Sequence, residues 1–324
     1  MKILVRLPNW LGDMVMSVAA LHQLRECYPG AVISVIVKGG LQDLLPFFPP
    51  VEHTFIFSKE KYSGLSGVWR FGRTIKATEN FDLFISFPDS FSSALMGLAS
   101  GAKRRVGYKK EGREILLTSA YSKQHGLHRV EEYVKLAELY ADKKSSPPSV
   151  LLKHSFKKGD DVVLNINSEA SSRRLTKAKA VEIIAAVRES ITNPIMLIGA
   201  PNESAFVEEV WAQLPVKNEV YPMAGKTSLA GLCEVLASAK LVLTTDSGPA
   251  HLANALGTQT VVLFGAGNEN NTSPYNRGAV HVIRLGKLSC EPCTKNICVQ
   301  FGTPQCLELL DTANIISVVN QTLL

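Results

Sequence analysis

Two hydrophobic patterns alternate along the chain. Short runs of consecutive apolar residues predict buried parallel strands. Longer stretches with apolar positions every three to four residues predict amphipathic helices. In the first half the strands fall at residues 2–7, 31–37, 54–57, 82–86 and 105–107. The helices between them fall at residues 14–28, around 41–48, and at 65–76, 90–99 and 128–140. A polar stretch at 141–158, containing Lys143, Lys144, Pro147 and Pro148, interrupts the alternation and reads as a linker. Strands then resume at 162–166, 195–198, 241–243 and 260–264, with helices at 177–189, 203–214, 229–238 and 249–256. The chain closes on a helix within 306–324. This order predicts two successive doubly wound α/β domains, residues 1–155 and 156–324, facing a cleft. Ligands of such sheets bind beyond the carboxyl ends of the strands.

The densest chemical signal is Thr244-Thr245-Asp246-Ser247-Gly248-Pro249-Ala250-His251, between a strand and a helix. Asp246 and Ser247 are helix N-cap residue types, and Pro249 suits a first helical turn. Small residues at such a turn let backbone N–H groups and the helix dipole meet a phosphate. Capping alone explains Asp246 and Ser247 equally well. His251, one turn into the helix, could face the same spot or be a satisfied helix histidine. Two other post-strand turns carry polar residues. Asp13 lies in Pro8-Asn9-Trp10-Leu11-Gly12-Asp13, and Ser168, Glu169, Arg173 and Arg174 follow the strand at 162–166. Asp13 has two possible roles, a carboxylate facing a cleft or the N-cap of the helix after it.

A length of 324 residues, 46% hydrophobic and 20% charged, describes an ordinary globular chain with ample core. The apolar start Ile3-Leu4-Val5 is cut by Arg6 and Pro8, unlike a signal peptide. No apolar run approaches a membrane span, so a soluble, cytoplasmic protein is expected. Charge is unevenly placed. Residues 1–155 hold 21 Lys and Arg against 14 Asp and Glu, or +7, and residues 156–324 hold 14 against 15, or −1. The first half therefore suits an anionic partner or membrane surface, or simply a solvated face. The basic residues are scattered and no nucleic-acid motif accompanies them, so a nucleic-acid partner is not expected.

Four of the six cysteines, Cys290, Cys293, Cys298 and Cys306, fall within 17 residues. Their spacing allows a structural zinc or iron site. Reduced thiols and disulfides are the alternatives, and a cytoplasmic setting argues against disulfides. Cys27 and Cys233 read as helix core residues.

With these residues placed, the chain resembles the ADP-heptose:lipopolysaccharide heptosyltransferases of glycosyltransferase family 9, most closely their heptosyltransferase II-like branch. The resemblance is carried by Thr227-Ser228-Leu229, by the run from Thr244 to Thr258, by Leu263-Phe264-Gly265 and by Ser273-Pro274-Tyr275. In the first half it is carried by residues 8–14, Arg104-Arg105-Val106-Gly107-Tyr108, Glu111-Gly112-Arg113 and His128-Arg129-Val130-Glu131-Glu132-Tyr133. It implies the GT-B fold, two Rossmann-like domains facing a central cleft, with the acceptor on the first and the donor on the second. It further implies inverting, metal-independent transfer of heptose from ADP-heptose to the lipopolysaccharide inner core at the inner membrane surface. No catalytic cofactor is required, and any zinc on the cysteines is structural.

By that resemblance Asp13 is the general base. Ser168, Glu169, Glu203, Thr227, Asp246, Ser247, Gly248 and His251 contact the donor. Within this set Asp246 meets sugar hydroxyls, Glu203 lies near the ribose and Thr227 lines the adenine pocket. Arg173 falls where the family carries a Lys that offsets phosphate charge, and Leu175 where it often has Trp. Arg keeps the charge but offers a planar fork in place of a point cation. Arg174 is a second candidate for that role. The alternatives are a family-9 transferase using another nucleotide sugar, a nucleotide-sugar-binding protein with reduced catalysis, and a metal-binding protein built on the cysteine cluster.

Overall fold

The computed structural model describes residues 1–144 and 146–324. It divides into two compact units, Met1–Leu152 and Lys153–Leu324. The polar stretch at 141–158 spans this division, and Ser145 within it lies outside the described residues.

Unit 1 runs β1 (Lys2–Arg6), α1 (Leu11–Met16), α2 (Val18–Cys27), β2 (Val32–Lys38), β3 (Thr54–Phe57), α3 (Gly64–Thr78), β4 (Leu83–Ser86), α4 (Phe91–Ala99), β5 (Arg104–Tyr108), β6 (Ser119–Tyr121) and α5 (Arg129–Ala141). Its sheet has the order β3-β2-β1-β4-β5-β6, and every pairing is parallel. Unit 2 runs β7 (Val162–Asn165), α6 (Lys177–Ser190), β8 (Ile195–Leu197), α7 (Ser204–Ala212), β9 (Val220–Pro222), α8 (Leu229–Ser238), β10 (Leu241–Thr245), α9 (Gly248–Ala255), β11 (Gln259–Phe264), α10 (Glu269–Thr272), β12 (Val280–Arg284), α11 (Gln305–Glu308) and α12 (Thr312–Leu323). Its sheet, β12-β11-β10-β7-β8-β9, repeats the first order. Both are the doubly wound Rossmann arrangement, and each reverses direction once. The reversal lies between β1 and β4 in unit 1 and between β7 and β10 in unit 2. The crevice at a reversal is where such a sheet receives its ligand.

The central strands are apolar on both faces because helices cover both. Ile3, Leu4 and Val5 in β1 and Leu241, Val242 and Leu243 in β10 are all buried. In unit 1, Val68, Phe71 and Ile75 of α3 pack on Leu4, Ile36, Phe81 and Phe84. In unit 2, Ile183, Ile184 and Val187 of α6 and Ile315 and Val319 of α12 close the core.

Several expectations need correction. The helix expected at 14–28 is two helices, broken at Ser17, whose hydroxyl donates to the Met14 carbonyl at 2.7 Å. The first begins at Leu11 after Trp10, so Asp13 sits inside its first turn and is not its N-cap. Residues 42–47 form a 3₁₀ helix. Strands β6, β9 and β12 were not expected. Two of them have only three residues and β12 is partly exposed, so none carries a buried apolar run. Cys27 is only half-buried at the end of α2, whereas Cys233 is buried.

Candidate active site

In unit 1 the chain leaves β1 at the sheet reversal and brings Asp13 into α1. Its carboxylate meets the first turn of α5. Arg129, Glu132 and Tyr133 lie three and four residues apart and so share one helical face. The Tyr133 hydroxyl donates to Asp13 Oδ1 at 3.2 Å, and Arg129 Nε stands 3.8 Å from the same oxygen. Arg129 also pairs with Glu132 at 2.9 Å, Glu132 with Lys123 at 3.2 Å, and Lys123 with Asp89 at 2.8 Å. Charges alternate in sign along this chain, which ends on Asp89, in the turn after β4 across the reversal. The start of α5 is fixed by His128, whose Nδ1 accepts from the Val130 N–H, and by the Glu131 carboxylate, which accepts from the His128 N–H.

Burial pushes the Asp13 carboxyl above the usual carboxylate range, opposed by the Arg129 charge and the Tyr133 bond. About 29% of its side chain remains exposed, so a substrate hydroxyl can reach it. Burial first, and then the Asp13 charge, raise the Tyr133 phenol, which stays a hydrogen-bond donor. A partly desolvated carboxylate held by one hydrogen-bond donor and a neighbouring cation has the chemistry of a general base.

In unit 2 the residues after β7 and β10 meet at the second reversal. Asn165 Nδ2 donates to Thr244 Oγ1 at 3.1 Å and to Ser247 Oγ at 2.9 Å. Thr245 donates its hydroxyl to the Asn167 carbonyl, and Asn167 Nδ2 donates to the Ile198 carbonyl at 3.0 Å. These bonds lock the two turns together. They also correct the capping expectation. Ser247 occupies the N-cap position of α9, but its hydroxyl turns back to Asn165 and to the Thr245 carbonyl and caps nothing. Gly248 opens α9, Pro249 follows, and His251 is buried on it.

Asp246 is buried, with Arg173 Nη1 3.4 Å from its Oδ2. The loop after β11 closes over the carboxylate so tightly that a Cβ at Gly267 would stand 1.9 Å from Oδ2. Arg284 holds that loop by donating to the Gly267 carbonyl and pairing with Glu269 at 2.9 Å. Burial raises the Asp246 carboxyl from its ordinary 3.8 to about 6, with Arg173 and then Arg284 pulling the other way. Its Oδ2 accepts no hydrogen bond among the described residues.

The remaining sequence candidates divide. Ser168 is buried, and its carbonyl accepts from Arg174 Nε at 3.1 Å. Arg174 also lies over the Phe206 ring at 5.7 Å, which leaves Arg173 as the cation beside Asp246. Glu169 is exposed and Thr227 half-buried. The Glu203 carboxylate accepts from the Ala200 N–H at 2.8 Å, holding the start of α7. Leu175 joins the unit 2 core.

All six cysteines are free, and among the described residues no three His, Cys, Asp or Glu side chains are grouped to hold a metal ion. Cys306 is pulled into the core, where a Cβ at Gly265 would stand 2.9 Å from its sulfur, while Cys290, Cys293 and Cys298 stay half-buried in the preceding loop. That loop instead braces the Arg173 turn: Ser172 donates from its N–H to the Asn296 carbonyl at 3.2 Å and from its hydroxyl to the Lys295 carbonyl at 2.5 Å.

Sequence reasoning assigned no role to Arg129, Tyr133, Lys123 or Arg284. The first two lay in a motif already quoted for the resemblance. Nothing local marked Lys123 or Arg284.

Two all-parallel Rossmann sheets with polar turns at their reversals define an α/β enzyme of the GT-B class. Its fold matches the structure of E. coli ADP-heptose lps heptosyltransferase II with a TM-score of 0.85, covering 100% of this chain and 98% of that one at 24% identity. Residues 68–302 match the family model of glycosyltransferase family 9 (heptosyltransferase), and the chain belongs to that family. It is similar to lipopolysaccharide heptosyltransferase 2 of Salmonella typhimurium, 28% identical over 316 residues covering 88% of each chain. It is also similar to lipooligosaccharide heptosyltransferase 2 of Campylobacter jejuni, 26% identical over 310 residues covering 92% of this chain and 91% of the other. Among the described residues no helix is long and apolar enough to cross a membrane.

Proposed function

We propose that the chain transfers heptose from ADP-heptose to the lipopolysaccharide inner core, with inversion and without a metal. Unit 1 takes the acceptor and unit 2 the donor. The observation that carries this reading is Asp13, a partly buried carboxylate at a sheet reversal, with its pKa raised, one donor on its Oδ1 and the Arg129 cation beside it. Asp13 accepts the proton of the acceptor hydroxyl. The hydroxyl oxygen bonds to the anomeric carbon on the face opposite the diphosphate. The bond from that carbon to the phosphate oxygen breaks, and its electron pair leaves with ADP.

The leaving diphosphate gathers charge, and donors placed at that charge supply much of the rate. Ser247 and Gly248 offer amides at the start of α9, with His251 behind them and Arg173 as the cation. Asp246 accepts from the heptose hydroxyls, and Arg173 keeps its carboxylate tolerable beside a phosphate. Ser168, Glu169, Glu203 and Thr227 complete the donor side, Glu203 toward the ribose and Thr227 toward the adenine. Its relatives, lipopolysaccharide and lipooligosaccharide heptosyltransferases, support the choice of donor and acceptor. The protein works in the cytoplasm at the inner membrane surface.

The test is transfer by the purified protein from a panel of nucleotide sugars to truncated core acceptors. ADP-heptose should be consumed in preference to the others, with the anomeric configuration inverted. Asp13→Ala should lose transfer by about 10²–10⁴-fold, the usual worth of a general base, and still bind ADP in calorimetry. Preference for another nucleotide sugar would overturn the donor assignment, and an active Asp13→Ala protein the base.

A further inference from the structure

We propose that the outer face of α3 docks unit 1 on an anionic lipid bilayer. The helix has two faces. Val68, Phe71 and Ile75 are buried against the sheet. The opposite face should be polar in a helix that meets only water. Instead Leu65 is 56% exposed and Trp69 is 44% exposed, one turn apart, and Arg73 extends the same stripe by another turn. Trp and Leu beside Arg and Lys mark helices that lie in the headgroup region of a bilayer.

Charge selects the partner. Residues 59–76 hold five cations, Lys59, Lys61, Arg70, Arg73 and Lys76, against the single acid Glu60. All five cations are exposed, and none joins an ion pair among the described residues. A helix that only needed solubility would carry both signs, which pair along its face. An uncompensated cationic rim around an indole and a leucine complements the anionic leaflet of a bilayer. The turn before the helix is fixed to it, since Arg70 donates to the Lys61 carbonyl at 3.0 Å and lies over the Tyr62 ring at 5.6 Å. Lys61 is therefore presented with the helix.

The proposal does not depend on Asp13 or on the donor, and its readout uses neither. The full chain is sedimented with vesicles of phosphatidylcholine alone and of phosphatidylcholine mixed with phosphatidylglycerol. It should bind the mixed vesicles, and salt should release it. Lys59→Glu with Arg73→Glu should weaken binding by at least about tenfold, since each reversal replaces attraction by repulsion. Leu65→Ser with Trp69→Ser should weaken it as well, and every one of these positions is exposed, so the fold is kept. A second exposed apolar cluster, Ile297 and Val299, lies in unit 2 and serves as the control. Ile297→Ser with Val299→Ser should bind like the parent protein. No binding to the mixed vesicles, equal binding to neutral ones, or α3 variants that bind like the parent would each overturn the proposal.

Discussion

Replacing Asp246 by Asn should stabilise unit 2 at neutral pH while destroying transfer. The carboxyl of Asp246 is 3% exposed, and burial raises it from 3.8 to about 6 even with Arg173 and Arg284 nearby. The folded chain therefore holds that proton more tightly than the unfolded chain. Stability from this group is fully present below about pH 4, falls as pH rises, and is lost above about pH 6. A shift of about two units corresponds to about 3 kcal/mol, because each unit is worth about 1.4 kcal/mol. Asn is close in shape to the protonated acid and carries no charge at any pH. Asp246→Asn should thus match the parent near pH 4 and exceed it near pH 7.5 by up to about 3 kcal/mol. In calorimetry this is a rise on the order of 6–12 °C in the unit 2 transition, at about 2–4 °C per kcal/mol. Activity measured in the same samples should be lost if Asp246 is, as proposed, the charged acceptor for the donor sugar. A site that costs stability to keep its chemistry is the trade-off expected of enzymes. An Asn variant whose stability difference from the parent does not change between pH 4 and 7.5 refutes the reasoning.

Removing the Arg173 cation by Arg173→Ala should raise the Asp246 carboxyl further, because Arg173 is the main charge pulling it down. The pH at which stability stops falling should then move above about 6, and the donor KM should rise by roughly tenfold for the loss of one charged contact. Tyr133→Phe keeps the ring packed 5.1 Å from Phe87 and removes only the hydroxyl that donates to Asp13. That bond favours the carboxylate, so the acid limb of kcat/KM should move to higher pH and the rate below the optimum should fall by up to roughly tenfold; an unmoved limb would mean Asp13 is not the group titrating. Burial raises the Cys233 thiol to about 12 and the Cys306 thiol to about 11. Both should resist a thiol reagent at pH 8 in the native protein and react in denaturant, whereas Cys290, Cys293 and Cys298 should react natively; fast labelling of Cys306 would show that its loop opens.

How far the sequence exposes this architecture depends on burial. Strands sunk under helices on both faces, such as β1, β7, β10 and β11, leave runs of Val, Ile and Leu that local pattern reveals. Edge strands leave none. The three residues of β9 include an exposed Tyr221 and a Pro, and β12 carries exposed His281. Nothing local separates them from loop. The turns behaved likewise. A carboxylate after a strand and a small residue before a helix are visible, so Asp13, Asp246, Ser247 and Gly248 could be picked out. Whether Ser247 caps α9 depends on Asn165, 82 residues away, which holds its hydroxyl elsewhere.

The same distance separates what is visible at Asp13 from what perturbs its charge. A lone carboxylate in a turn is an ordinary solvated acid. Its raised proton affinity comes from the walls around it, and its aim comes from Tyr133, 120 residues along the chain. Neither is written near Asp13. Both follow from sheet order: the reversal sets β1 beside β4, the turn after β4 carries Asp89, and Lys123 ties Asp89 to Glu132 on the α5 face that meets Asp13. Unit 2 repeats the construction with other residues, setting the turns after β7 and β10 side by side so that Arg173 reaches Asp246. In both units the topology, acting over about seventy to a hundred and twenty residues, turns a common acidic residue into one with a perturbed charge and a fixed partner, and such residues gather where chemistry is done. An Asp89→Asn protein tests this coupling in unit 1. It removes one link of the charge chain without touching Asp13, leaves the Lys123 cation less compensated, and should move the acid limb of kcat/KM to lower pH; an unmoved limb would show that Asp13 answers only to Arg129 and Tyr133.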